Sequence, residues 1–93
     1  MDFDWDPARH ATVLSERGFS FADAVAIFGG PVLARRDDRL DYGDDRHIAV
    51  GCVGADFFTV VYTDSGAVRR IIMAWRSNRK ERAAWQRSVS PTP

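Results

Sequence analysis

The chain has a single cysteine, Cys52, among its 93 residues. A lone thiol cannot close an internal disulfide, and no His/Cys cluster has metal-ligand spacing, so neither a disulfide-stapled secreted scaffold nor a zinc module is supported, and no metal or other cofactor is expected. Long apolar runs are missing too. Nothing approaches the roughly 20 residues that cross a bilayer, and the acidic opening "MDFDWDPARH" lacks the basic-then-apolar order of a signal peptide. A soluble chain in a reducing cytoplasm, with no membrane partner, is the expectation. The phosphate-cradling patterns G-x-x-x-x-G-K-[ST] and G-x-G-x-x-G are absent, as is a serine nucleophile elbow. Net charge is absent as well, with 13 Lys and Arg against 13 Asp and Glu.

That cancellation is uneven. Between positions 69 and 87 stand Arg69, Arg70, Arg76, Arg79, Lys80, Arg82 and Arg87 against Glu81 alone, a local balance of +6 that the rest of the chain offsets. A clustered positive field attracts polyanions even when the total is zero. Composition is otherwise that of an ordinary globular chain, and the length allows one domain with one modest core. That domain is expected over residues 1–89, with 90–93 as a frayed tail.

Asp6 and Pro7 make a helix start, as N-cap and first helical residue, and Gly18 a stop. His10, Val13, Leu14 and Arg17 recur at helical spacing on one face, which makes His10 a packed or rim residue rather than a base. Ser20 and Asp23 form a capping pair for a second short helix that ends at Gly29-Gly30-Pro31. The acidic stretch 35–46 reads as a solvated loop, because its five aspartates lack the D-x-D-x-D-G register of a calcium loop. Three runs of strand character follow, "HIAVGCV", "FFTVVYT" and "VRRIIMAW", whose short Gly-containing connections predict consecutive hairpins. "DFDW" and "VLARR" are weaker strands that could flank this meander. Asn78 and Glu81 then make a capping box for a last helix, docked through Trp85, with Arg82 at the border of the docked side and Arg79, Lys80 and Arg87 turned away. The fold class is α+β: a small antiparallel sheet with two N-terminal helices on one face, a C-terminal helix, and part of the other face open.

Strict strand alternation groups Arg70 with Val68, Ile72 and Ala74, and Arg69 with Ile71, Met73 and Trp75, so these two arginines line opposite surfaces. Arginines interleaved with Trp75 and Trp85 supply phosphate contacts and stacking planes, the combination that single-stranded nucleic acid uses. A solvated helix face has the same composition.

The order of three motifs is more specific. "FDWDPARHATVLSERGFSFADAVAIFGGP" resembles the opening of the BrnT toxins, with their acidic-Trp-Asp strand, a helix ending in a basic-His-Gly turn, and "SFEDA". "DDRHIAVG" resembles their "EERFIAIG", and "VRRIIMAWRSNRKERAAW" their closing "RIISARKATRRERRQY". The likeness spans roughly residues 3–86. It implies a RelE-like fold and a ribonuclease toxin of a type II toxin–antitoxin pair that inhibits translation. The implied partners are RNA and a BrnA-like antitoxin, with DNA reached only through that antitoxin.

Residue by residue, Arg46 matches the arginine of the middle motif and Arg70 the one opening the last strand. Arg79, Glu81 and Arg82 match R-x-E-R, and Trp85 takes the place of an aromatic. On this basis Arg70, Arg79, Glu81 and Arg82 are the expected catalytic residues, with His47 and His10 behind Glu81 as proton carriers. Arg46, Trp75, Arg76, Lys80 and Trp85 are the expected RNA-binding residues. Trp75 stands where the family has Arg, Met73 where it has Ser, and Arg17 where it has His; Arg76 is the residue that could substitute for the arginine lost at Trp75. Those departures support an alternative, a catalytically weakened module that binds an antitoxin or nucleic acid without cutting.

Overall fold

A computed structural model describes residues 1–39 and 43–89. Strand β1 (Asp2–Trp5) leads into helix α1 (Pro7–Arg17) and the short helix α2 (Phe21–Val25), which continues as a 3-10 turn over Ala26–Gly29. Strands β2 (Leu33–Arg36), β3 (Arg46–Val53), β4 (Asp56–Ser65) and β5 (Val68–Arg76) follow, and helix α3 (Arg79–Val89) closes the chain. The expected tail at 90–93 lies outside the described residues. No helix among the described residues is long and apolar enough to cross a membrane.

The local signals act as expected. Asp6 accepts a hydrogen bond from the Ala8 amide at 3.0 Å, and Gly18 ends α1 in the left-handed region at φ 76°. Ser20 and Asp23 exchange both bonds of a capping box, at 2.9 and 3.0 Å. The hairpins β3–β4 and β4–β5 turn at Gly54 and Gly66, whose positive φ at the first central position is the type II′ pattern that matches strand twist.

The sheet order is β1-β5-β4-β3-β2, so the two weaker strands do flank the meander. The all-antiparallel expectation is corrected, because β1 pairs parallel with β5. A four-residue edge strand carries no sequence mark of its direction; it is set by the tertiary pairing with β5, which is 63 or more positions away. The second helix is also shorter than a regular one, five residues before the 3-10 turn.

The main core cluster lies on the helix-covered face, and Ile48, Val50, Thr59 and Val61 are buried on the other. Phe58, Val60 and Tyr62 of β4, Ala49 of β3, and Ile71 and Ala74 of β5 meet Val13, Phe19, Phe21, Ala24 and Ile27 from the helices. Removing these side chains from water is the main stabilising term, at about 1.5–3 kcal/mol for each large one. The 3-10 turn approaches β3 so closely that a Cβ on Gly51 would lie 2.8 Å from Ile27 Cβ and 3.1 Å from Val32 Cγ1.

Helix α3 buries no residue fully. It hangs on the opposite face by its Asn78–Glu81 capping box, both bonds 2.8 Å, and by Trp85, whose Nε1 donates to the Pro31 carbonyl at 2.9 Å and whose ring meets Phe57 edge-on. The docking role expected of Trp85 is what the structure shows. The described residues of the loop after β2 are exposed, as the solvated reading has it, except Asp37. The Asp37 amide extends the ladder to the Arg46 carbonyl at 2.8 Å, which draws the Asp37 side chain out of solvent.

Gly51→Ala is expected to destabilise the fold by about 1–3 kcal/mol, lowering Tm by roughly 5–15 °C in a thermal melt. Gly29→Ala, where a Cβ meets nothing within 4 Å, should melt close to the wild type.

Candidate functional site

The face opposite α1 and α2 is only partly covered by α3, and strand register sorts its side chains into rows. Arg46, Thr63, Arg70 and Asp4 form one row, Ile48, Val61 and Met73 the next, and Val50, Thr59 and Trp75 a third. This grouping differs from strict alternation. The β4–β5 ladder shifts register between Val61 and Tyr62, pairing Val61 with Met73 but Tyr62 with Ile71, so Ile72 is an extra residue. Beyond this bulge the faces exchange. Arg70 therefore lies with Met73 and Trp75, while Arg69 joins Ile71, Ala74 and Arg76 on the helix-covered face.

The two arginines then meet different surroundings. Arg69 is stacked between Tyr62, 4.2 Å from the ring centre, and Phe28, at 4.7 Å, and pairs with Asp64 at 2.8 Å. The Arg69 hydrogen bond holds the Asp64 carboxyl below the usual range, and the guanidinium is raised in turn. Arg70 is half exposed and pairs with Asp4 at 2.6 Å. Beside it a cleft of about 270 Å³ is walled by Asp6, Arg9, Asp44, Arg46, Thr63 and Arg70. Arg46 pairs with Asp44 there at 3.1 Å.

A second cavity, about 320 Å³, opens between α3 and the β2–β3 edge, lined by Leu33, Arg35, Ile48, Val50, Lys80, Glu81 and Ala84. Lys80, expected to turn away from the docked side, is in this wall. Half-buried Trp75 donates its Nε1 to both Glu81 oxygens at 3.3 Å, and Glu81 Oε1 also accepts the Asn78 amide. The Glu81 carboxylate is thus fixed by donors on two elements. Along β5, Arg70 and Trp75 stand roughly 15 Å apart at about 3.3 Å per residue, so no single phosphate touches both ends.

The remaining expected residues scatter. Arg79 is exposed at the first position of α3, and Arg82 is exposed with its guanidinium 5.9 Å from the Phe57 ring centre. Arg76 is on the opposite face, above Phe19 and Phe58 at 5.5 and 5.4 Å, and 3.6 Å from Asp56. Arg76 and Trp75 point to opposite faces, as adjacent residues of a regular strand do. Both histidines sit on the helix side: His10 against Trp5 and Phe21, His47 stacked on Tyr62. Neither faces Arg70.

A profile of the ribonuclease toxin BrnT, of type II toxin–antitoxin systems, matches residues 5–81. The chain belongs to the BrnT family. No curated protein matches it. The family is one of ribonuclease toxins, and its type II systems pair the toxin with an antitoxin. The BrnT match takes in Arg46, Arg70, Trp75, Arg79, Lys80 and Glu81, and ends before Arg82 and Trp85.

Sequence reasoning missed Arg9, Arg35 and Arg39, which reach the open face of this BrnT fold from α1, β2 and the loop. Arg39 binds Asp37 through Nε at 2.7 Å and Nη2 at 2.8 Å, and its guanidinium lies 6.0 Å from the Trp75 ring centre. No local pattern marks these three, because each arrives by a tertiary path. The Arg39 hydrogen bonds hold the Asp37 carboxyl below the usual carboxylate range. A carboxyl whose folded pKa is depressed stabilises the fold above its unfolded pKa and ceases to do so as pH falls through the folded one. Asp37→Asn is therefore expected to cost on the order of 1 kcal/mol at pH 7, less than a fully buried pair because Arg39 is half exposed. In urea melts the gap to wild type should narrow below about pH 4.

Proposed function

We propose that this chain is an endoribonuclease with a RelE-like fold, working in the cytoplasm, that inhibits translation by cutting RNA laid across the open face of its sheet. The observation that carries the reading is the convergence of Arg46 and Arg70 on that face, in line with Trp75 and the Lys80–Glu81 start of α3, in a chain of the BrnT family. RNA carries its own nucleophile, the 2′-OH. The protein need only align it with the phosphate, stabilise the extra charge on the phosphate oxygens, and move protons from the 2′-OH and to the leaving 5′-oxygen. Arginine forks suit the charge role, since each holds two phosphate oxygens. Arg70 and Arg46 grip phosphate at one end of the face. Trp75 offers a stacking plane, Lys80 draws the strand toward α3, and Arg79 and Arg82 follow it over the helix start. Glu81 is the acid–base group by motif. A BrnA-like antitoxin would neutralise the toxin in a hetero-oligomer, with DNA contacted only through the antitoxin.

A second reading has its own support. Glu81 is engaged by Trp75 and Asn78, and both histidines face the other way, so proton transfer lacks an unengaged carrier among these residues. In that case the face binds an antitoxin or nucleic acid without cutting.

RNA incubated with the purified chain in a chelator should yield new ends bearing 2′,3′-cyclic phosphate. Arg70→Ala should lower the rate about 10²-fold, as expected for one lost charge-stabilising group. Arg76→Ala, altered on the opposite face, should change it little. Intact RNA with salt-sensitive binding would leave the second reading standing.

A further inference from the structure

We infer that Arg9 is a third phosphate-binding arm of the cleft that holds Arg46 and Arg70, and that the ligand of this three-arginine cleft is a backbone phosphate of the RNA strand. The inference rests on the reading that RNA crosses the open face, and it adds a residue from α1 to that surface. Arg9 lies in the first turn of α1, and its Nη1 donates to the Ile72 carbonyl at 3.1 Å. Ile72 is the bulged residue, the one that turns Arg70 onto this face. One irregularity in β5 therefore provides an acceptor that aims Arg9 and the geometry that aims Arg70.

Every carboxylate at the cleft has an occupation. Asp4 pairs with Arg70, Asp44 with Arg46, and Asp6 caps α1 by accepting the Ala8 amide. Among the described residues, no carboxylate lies within ion-pair distance of Arg9, so its charge is held in place by a neutral carbonyl. The Arg70–Asp4 pair is half exposed on both sides, and pairs so exposed are weak. A phosphodiester that engages several forks at once can displace them, because planar guanidinium groups bind phosphate oxygens in pairs. Asp4 and Asp44 hold the forks of Arg70 and Arg46.

The test is anisotropy titration of a labelled 2′-O-methyl oligoribonucleotide, which has no 2′-OH and cannot be cut, over a series of KCl concentrations. Arg9→Gln is expected to bind several-fold more weakly at low salt and to lower the salt slope by about 0.7, the value of one phosphate contact on a single strand. Arg9→Lys should keep the slope, and Arg17→Gln, exposed at the far end of α1, should match the wild type. An unchanged slope in Arg9→Gln, with equal weakening in Arg9→Lys, would mean that Arg9 only props the bulge and would overturn the proposal. So would failure of the wild type to bind the oligonucleotide. A parallel incubation with unmodified RNA separates the two claims. Cleavage without an Arg9-dependent slope sinks the inference alone, and an Arg9-dependent slope with RNA left intact sinks the ribonuclease reading alone.

Discussion

Ile72 is one residue too many for the ladder between β4 and β5, and the faces of β5 exchange where it is accommodated. An extended strand has a side-chain period of two, so one inserted residue moves everything beyond it to the other surface. Arg69 is thereby committed to the stack of Phe28 and Tyr62, and Arg70 is delivered to the row of Arg46 and Thr63. Without the bulge, strict alternation would put Arg70 on the side of Ala74, away from Arg46 and Thr63.

The other end of the face depends on α3, an 11-residue helix with no fully buried residue. Helices of that length are marginal in isolation. Its hold on the sheet comes from few contacts: the indole of Trp85 on the Pro31 carbonyl, its edge on Phe57, and the Glu81 carboxylate between Asn78 and Trp75. Glu81 is therefore tied into the joint between helix and sheet. Trp75 is what engages it: an indole has one N–H to donate and no charge, so the helix start is tied to the sheet by a neutral group.

The zero net charge hides this arrangement. Asp4 and Asp44 stand against Arg70 and Arg46, so the acidic part of the chain supplies counter-ions to the arginines of the open face. Half-exposed pairs of this kind add little stability.

Much of the fold was legible because its causes are local. The caps at Asp6, Ser20 with Asp23, and Asn78 with Glu81 are side-chain to backbone contacts within three residues, and the glycine turns and β-branched runs have similar range. For the candidate site, the sequence offered only a set of residues, through the family resemblance. Where those residues sit was decided by contacts far apart in the chain. Arg9 meets Ile72 across 63 positions, and Asp4 meets Arg70 across 66. The parallel pairing of β1, the bulge, the return of Arg39 over Trp75 and the placement of Arg76 on the far side all depend on such partners. A local pattern specifies an element through its own backbone, but register, strand direction and facing are settled only when the elements compete for one core.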